Sequence, residues 1–352
     1  MRVLSVLLLA LVVGLYVGPW VALNGYGEKS GMQSPAADRI GPGAADGLLT
    51  MGFYSEDYQG DSSSRDSLER NFENLEWISP FWYSIDAEGK VNNRGGERGP
   101  AIELAKEKGV KVLGLFNNRR GTDAFLQQPS ILSAAVSNVV STVEAEGLDG
   151  VNIDFESLEP GSREGLVRFM AELYPRLQQL GRVVTVSVFP KWSDDEASFE
   201  WTYAYDYQGL SGSSDYLVIM AYDQHGAWSG PGPVADPAWV KGAVEYALKR
   251  VPADKLLLGI AGYGYDWGDG EVRPVPARDA LGLAERWEAE VVRDDNSGAP
   301  SFVYHSRGVR HQVWWEDAES VSNKVDLARE NGLAGVALWR LGQEEQRLWS
   351  IL

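Results

Sequence analysis

The chain has 352 residues, of which 44% are apolar and 23% are charged, a balance typical of globular proteins. It contains no cysteine, which excludes disulfides, iron–sulfur clusters, cysteine nucleophiles and thiolate zinc sites. A formal net charge of −18 disfavours a surface that binds nucleic acid or anionic lipid, because the field of the protein repels such partners. The length fits one large α/β barrel or two to three average domains.

An apolar run at the amino terminus, Val3 to Leu23, contains no charged residue. It is long enough to span a bilayer and longer than the apolar region of most secretory signals. We expect residues 1–25 to be an uncleaved signal anchor, with a cleaved signal peptide as the alternative. Either one places the rest of the chain outside the cytoplasm. Residues 26–46 have the composition of a linker, so the folded part is predicted at 47–352.

Eight apolar runs of up to nine residues follow, rich in β-branched and aromatic residues, as is typical of buried parallel strands. They occupy residues 48–55, 77–85, 110–118, 148–156, 183–190, 215–223, 256–264 and 333–341. Segments with helical periodicity lie between them, such as 162–180, where Ser162 is placed to cap the start and Gly181 to end the helix. This alternation predicts a closed (β/α)8 barrel, with an open doubly wound sheet as the alternative.

The crossover after the seventh predicted strand is too long for a single helix. Residues 266–317 contain two further extended runs, at 301–306 and 311–317. We therefore expect a small insertion there, a hairpin with a short helix near 280–292.

The fourth predicted strand carries the most informative pattern, the sequence DGVNIDFE at 149–156. Because alternate side chains of a strand point to opposite faces, Asn152, Asp154 and Glu156 share one face, predicted to be the inside of the barrel. A polar row that rises to the carboxyl mouth of a barrel is where active sites lie. Asp149 has the opposite parity, so we expect it to open the strand.

This pattern resembles the DGxDxDxE signature of glycoside hydrolase family 18, the chitinase-like enzymes, with Asn152 where many members have Asp. The sequence MAYD at 220–223 resembles the family's M-x-Y-D, and Trp339 ends the eighth strand, where the family keeps a Trp on the floor of the sugar site. The stretch 222–240 is most similar to the bacterial branch that contains spore-cortex N-acetylglucosaminidases. The resemblance extends over about residues 48–352 and implies a (β/α)8 barrel.

The resemblance also implies an activity, the retaining hydrolysis of β-1,4-linked N-acetylglucosamine in peptidoglycan or chitin, assisted by the substrate's own acetamide. Glu156 would be the general acid, held neutral near the working pH. Asp154 would orient the acetamide and stabilise its positive charge, and Tyr222 would donate a hydrogen bond to it. Asn152, deeper in the barrel, would hold Asp154 in place.

Further residues at strand ends, or in the loop after the sixth strand, are expected to contact the sugar: Trp339, Tyr54, Trp82, Asp223, Met220 and Trp228. For Tyr54 and Trp82 a place in the core stays an open alternative. The three histidines do not have the spacing of metal ligands, so no metal site is predicted. No cofactor is expected either, because the substrate supplies the nucleophile.

The expected partner is a polysaccharide, with no nucleic acid and with membrane contact only through the amino-terminal segment. We expect a monomer. A carbohydrate-binding protein without activity, built on the same barrel, is the main alternative function. Relatives that became lectins typically lost the acid, whereas this chain keeps Glu156. A domain that works in wall synthesis or polysaccharide export at the membrane is a weaker alternative.

Overall fold

The computed structural model describes residues 47–56, 62–93, 98–195 and 200–352. Leu48 to Leu352 form one folded unit. The predicted anchor and linker lie outside the described residues. Within the described ranges, no helix is both long enough and apolar enough to cross a bilayer.

The structure has fifteen strands in its described part. In chain order they are β1 (Leu49–Tyr54), β2 (Trp77–Pro80), β3 (Tyr83–Ile85), β4 (Val91–Asn93), β5 (Lys111–Asn118), β6 (Gly150–Asp154), β7 (Val183–Val188), β8 (Tyr216–Ile219), β9 (Leu256–Ala261), β10 (Tyr263–Gly268), β11 (Glu271–Pro276), β12 (Val292–Arg293), β13 (Pro300–Ser306), β14 (Val309–Trp315) and β15 (Gly335–Trp339).

The α-helices of the described ranges are α1 (Ser63–Asn71), α2 (Arg98–Glu107), α3 (Ala124–Gln127), α4 (Pro129–Glu146), α5 (Arg163–Gln179), α6 (Glu200–Tyr203), α7 (Tyr207–Ser211), α8 (Pro237–Leu248), α9 (Ala277–Arg286) and α10 (Ala318–Glu330). Gly147, at φ 62°, ends α4 in the left-handed conformation that glycine adopts readily. The predicted cap of α5 is wrong in detail. The Ser162 hydroxyl donates to Asp123 at 2.6 Å and makes no capping hydrogen bond to the helix.

Eight strands form a closed parallel barrel, which confirms the predicted fold. The order around the barrel is β1, β2, β5, β6, β7, β8, β9 and β15, and the pairing of β2 with β5 closes it. The open-sheet alternative is therefore excluded. The second predicted strand is broken into β2 and β3, because the Trp82 N–H turns back to the Pro80 carbonyl at 2.9 Å. After this turn β3 pairs with the upper part of β5 and with β4.

The barrel separates two apolar layers. Side chains that point outward pack against the helices in the larger core. Those that point inward fill the lower barrel: Met51, Phe53, Trp77, Leu113, Leu115, Val218, Leu257 and Ala337. This filling closes the amino-terminal part of the barrel, so the polar residues of β6 and its neighbours lie at the carboxyl mouth.

The insertion is larger than the predicted hairpin. It begins at Tyr263 and forms a five-stranded antiparallel sheet in the order β11, β10, β14, β13, β12. Helix α9 packs on one face of this sheet and buries Trp315. The helix runs from Ala277 to Arg286, earlier than the predicted 280–292. The sequence pattern does not reveal this sheet, because β10 directly follows a barrel strand and pairs with β14, the central strand, about 50 residues later.

Candidate active site

Strand β6 carries its polar row on the inside of the barrel, as predicted. Asn152 pairs in register with Leu115, an inward residue of β5, and Asp154 pairs with Asn117. The apolar residues between them belong to the outer core. The alternation of the strand therefore brings an amide, a carboxyl group and the neighbouring Asn117 to the mouth of the barrel.

Asn152 is completely buried and bonded to the next strand. Its Nδ2 donates to Ser187 Oγ at 3.2 Å, and Ser187 Oγ donates to its Oδ1 at 3.1 Å. The predicted role of Asn152 in holding Asp154 is not seen as a direct bond. Two residues along one strand are about 7 Å apart, whereas Ser187 lies on the adjacent strand, within reach of the amide.

Asp154 is 4% exposed, and its Oδ1 has no hydrogen-bond partner among the described residues. Burial raises the pKa of Asp154 to about 7, although the Ser187 hydroxyl opposes this rise. A buried carboxyl oxygen without a donor is costly, and groups of this kind concentrate at functional sites. Asp154 thus keeps a buried carboxyl oxygen that lacks a donor, at the carboxyl end of β6.

Glu156 lies two residues further along the chain, half-buried beyond the end of β6. Burial raises the pKa of Glu156 well above its usual value, and the nearby carboxyl groups of Asp154 and Asp223 raise it further. Like charges so close together cannot all be ionised, so the group holds protons near neutral pH. Glu156 is therefore able to act as a general acid.

Tyr222 lies beside these carboxyl groups. Burial, followed by the charges of Asp154 and Asp223, raises the pKa of Tyr222 far above its usual value, so its hydroxyl stays protonated as a donor. Its ring packs against β9 at Gly259, where an added Cβ would lie 3.0 Å from the ring. Tyr222 also belongs to an apolar cluster at the mouth that includes Trp339.

Asp223 follows Tyr222 and has an unusual backbone conformation, with φ at 63°. Its Oδ1 accepts hydrogen bonds from Tyr263 Oη at 2.5 Å and from Tyr265 Oη at 2.9 Å. Burial raises the pKa of Asp223, and the two phenols oppose the rise. Tyr263 and Tyr265 are not among the site residues predicted from the sequence. The alternating aromatic pattern of GYGYDW at 262–267 was the available signal.

Trp339 ends β15 and remains partly exposed at the mouth. Its ring makes edge-to-face contacts with Phe53, at a centroid distance of 5.1 Å, and with Phe81, at 6.2 Å. These two rings support one side of the indole and leave part of it accessible. The position suits a floor against which a sugar ring stacks.

Tyr54 and Trp82 are not brought into the mouth. They are 1% and 2% exposed, pack edge-to-face on each other at 5.9 Å and belong to the core between barrel and helices. The physical reason is strand parity, since their neighbours Phe53 and Phe81 occupy the inward positions. Their predicted contact with substrate is replaced by the alternative, a place in the core.

Of the remaining predicted residues, Met220 is buried directly after β8, and Trp228 lies 37% exposed in the following loop. The insertion holds that loop, since Trp267 Nε1 donates to the carbonyl oxygens of Gly226 at 3.1 Å and Ser229 at 3.2 Å. Asp149, with the opposite parity, accepts from the Val112 N–H at 2.9 Å and has a structural role.

The site as a whole combines a protonated acid, a second carboxyl group with a free oxygen and a neutral phenol donor, beside a partly exposed tryptophan. Such a set can protonate a leaving oxygen and stabilise the positive charge that develops on the neighbouring sugar carbon. Across the described ranges, no group of three or more His, Asp or Glu side chains could hold a metal ion.

Comparisons with known proteins show the family of this chain. The family model for glycosyl hydrolases family 18 matches residues 83–344. The cortical fragment-lytic enzyme of Bacillus cereus is 30% identical over 293 residues, which cover 79% of this chain and 67% of that protein. The uncharacterized glycosylase YvbX of Bacillus subtilis is 28% identical over 319 residues, which cover 86% of this chain and 90% of that protein.

Solved structures of a chitinase and of a cortex-lytic enzyme are also similar to this chain. A chitinase from Chromobacterium violaceum superimposes with a TM-score of 0.80 at 31% identity, covering 87% of this chain and 98% of the chitinase. The spore cortex-lytic enzyme SleL of Bacillus megaterium gives a TM-score of 0.79 at 26% identity, covering 86% of this chain and 73% of that one.

Proposed function

Because this chain belongs to family 18 of the glycosyl hydrolases and is a glycosidase, we propose that it is a retaining enzyme that cleaves β-1,4-linked N-acetylglucosamine by substrate-assisted catalysis. One observation carries the proposal. The carboxyl groups of Asp154 and Asp223 lie close enough to Glu156 and to the neutral phenol of Tyr222 to raise the pKa of both.

In the first step, Glu156 transfers its proton to the glycosidic oxygen, and the bond from that oxygen to the anomeric carbon breaks. The acetamido oxygen of the same sugar forms a bond to the anomeric carbon and gives a cyclic oxazolinium ion. Asp154 faces the acetamide N–H and stabilises the positive charge, while Tyr222 donates to the acetamido oxygen. A carboxylate in a water-poor site is effective here because the low dielectric strengthens the interaction.

In the second step, Glu156 is a carboxylate and accepts a proton from water. The water oxygen attacks the anomeric carbon and opens the oxazolinium ring, which returns the acetamide. The proton taken from water restores Glu156 to its acid form. Two inversions at one carbon give net retention of configuration. The same residue therefore serves as acid and then as base, and the raised pKa of Glu156 favours its role as the acid.

The site and the names of the relatives support a substrate class. The partly exposed ring of Trp339 suits the flat face of an uncharged sugar, and the net charge of −18 does not favour a polyanion. The names of the relatives refer to spore cortex and to chitin. Peptidoglycan and chitin share the β-1,4-linked N-acetylglucosamine unit, which we propose as the group recognised.

The test compares oligosaccharides that differ only at carbon 2: N-acetylchitopentaose, its fully deacetylated form and cellopentaose. We expect cleavage of the acetylated oligomer alone, with β-configured product detected first by NMR, because only this substrate carries the nucleophile. Cortex peptidoglycan fragments form a parallel arm that separates the two glycan sources. Equal cleavage of the deacetylated oligomer, or α-configured first product, would contradict the mechanism. Saturable binding without turnover would favour a lectin.

We also propose that residues 47–352 form the catalytic domain, carried outside the cytoplasm behind the anchor and linker. The uncharged apolar run from Val3 to Leu23 supports this location. Fractionation of cells that express the full chain tests it, since an extracytoplasmic domain is accessible to added protease in spheroplasts and a cytoplasmic one is protected.

A further inference from the structure

Asn118 continues the pairing of β5 and β6 beyond the point where the two backbones stop pairing. The last backbone partners are Asn117 and Asp154. Past them, the Glu156 N–H donates to Asn118 Oδ1 at 2.7 Å, and Asn118 Nδ2 donates to the Glu156 carbonyl oxygen at 2.7 Å. The side-chain amide thus takes the place of a peptide group in the ladder and binds both polar backbone groups of Glu156.

The carboxyl group of Glu156 has no comparable restraint. Among the described residues, no hydrogen bond from another side chain or from the backbone reaches it. Its direction is therefore set by the backbone that carries it. That backbone is unusual, because the next residue, Ser157, has φ at 54°, a conformation that surrounding structure must maintain.

Two further contacts show that this segment is held in place. Tyr205 Oη donates to the Phe155 carbonyl oxygen at 2.7 Å. Gly121, in the turn that follows Asn118, approaches Ser157 so closely that an added Cβ would lie 3.2 Å from the Ser157 Cβ. Asn118 itself is 4% exposed, so water does not readily replace its two hydrogen bonds.

We propose that Asn118 is a positioning residue for catalysis, which aims the Glu156 carboxyl group at the reacting oxygen by fixing its backbone on both sides. This rests on the proposed role of Glu156 as the general acid. Only an amide of this length supplies one acceptor and one donor at the spacing of a peptide group. An aspartate keeps the acceptor and loses the donor when ionised, and an alanine loses both.

The first test measures the hydrolysis of 4-nitrophenyl N,N′-diacetyl-β-chitobioside by the full chain and by Asn118→Ala. We expect kcat to fall about 10- to 100-fold, with KM changed less than about threefold, since misalignment acts on the chemical step. The matched control is Asn138→Ala, because Asn138 Nδ2 also donates to a backbone carbonyl, that of Gly89, at 2.8 Å, on the outside of the barrel. This control should keep wild-type kcat.

The isosteric Asn118→Asp gives a signature that a merely structural role would not. Its kcat relative to wild type should rise as the pH falls, because the introduced carboxyl group regains a hydrogen to donate to the Glu156 carbonyl oxygen. A ratio that is independent of pH, together with an unchanged kcat for Asn118→Ala, would overturn the proposal. This variant also covers the case in which the alanine variant does not fold.

A second measurement does not depend on any substrate. Carbon-13 NMR follows the titration of the Glu156 carboxyl group, assigned by comparison with Glu156→Gln. The groups that face it are Asp154 and Asp223, with the phenols of Tyr205 and Tyr222 close by. In Asn118→Ala we expect the pKa of Glu156 to fall towards the ordinary glutamate value, because its carboxyl group can move away from Asp154 and Asp223 and towards solvent.

An unchanged titration would contradict the positioning role even if no glycan is cleaved. Conversely, a wild-type chain that cleaves none of the glycans while the titration shifts as expected would refute the proposed function alone. The two failures are therefore distinguishable.

Discussion

Asn152 on β6 and Ser187 on the neighbouring strand β7 bond to each other inside the barrel, with the amide and the hydroxyl 3.1–3.2 Å apart. Both side chains are almost completely buried. Asn152 stands at the motif position where many family members have an acid, and here it is satisfied by the neighbouring strand. Asp154 Oδ1, two residues further along β6, has no partner among the described residues, and burial is the main cause of the raised pKa of Asp154.

The first prediction concerns this pair. Ser187→Ala removes the partner of a buried amide, and we expect the free energy of unfolding to fall by about 1–3 kcal/mol. Urea denaturation measures the change. Ser62→Ala is the matched control, because the Ser62 hydroxyl bonds Asp66 on the exposed surface, and its effect should stay within about 0.5 kcal/mol. Equal effects of the two substitutions would show that the buried Asn152–Ser187 pair stabilises the fold no more than the exposed Ser62–Asp66 pair does.

The second prediction concerns stability against pH. The pKa of Asp154 is about 7 in the folded protein and about 3.8 in the unfolded chain, so the folded state favours the protonated form. Its contribution to stability is complete below pH 3.8 and is lost as the pH rises through 7. Asp154→Asn should therefore be more stable than wild type at pH 8, with the difference vanishing near pH 4.

Asp86→Asn provides a control of opposite sign for this measurement. Burial acts to raise the pKa of Asp86, but hydrogen bonds from Asn92 and from the backbone of Lys90 outweigh it and lower this pKa. The charged form is the stabilised one, so this variant should be slightly less stable than wild type at neutral pH. Thermal melting curves at several pH values test both. A Tm difference for Asp154→Asn that does not vary with pH would refute the assignment.

The third prediction concerns Tyr222. Removing its hydroxyl in Tyr222→Phe deletes the donor to the developing charge, so we expect kcat to fall about 100-fold with little change in KM. Tyr174→Phe is the control, because the Tyr174 hydroxyl bonds Asp215 outside the barrel mouth at 2.9 Å. Steady-state kinetics on the chitobioside substrate provide the measurement. A rise in KM at constant kcat would instead indicate a role in binding only.

Much of the barrel and of its polar row could be predicted from the sequence, because both depend on local periodicity. The alternation over residues 149–156 places Asn152 and Asp154 on the same, inward face of the strand. This result does not depend on which strands lie beside it. The inward residues of β1 and β2 were harder to predict. Both Phe53 and Tyr54 are aromatic, so the pattern alone did not show that Tyr54 points to the helices.

The environment of Asp223 could not be predicted because it depends on contacts between distant segments. Its two donors, Tyr263 and Tyr265, lie 40 and 42 residues further along the chain, on a strand of the insertion. The two hydrogen bonds between the Asn118 side chain and the Glu156 backbone also join distant segments, because these residues are 38 apart in the sequence. The register of β5 against β6 determines it, and no local pattern reports that register.

The most direct test of the central claim is the rate of reducing-end release from N-acetylchitopentaose by wild type and by Glu156→Gln. The substitution keeps the size of the side chain and removes the transferable proton. We predict a loss of about 100- to 10,000-fold in kcat, the usual contribution of a general acid, with oligomer binding retained. Equal rates for the two proteins would contradict the assignment of Glu156 as the catalytic acid, and with it the proposed function.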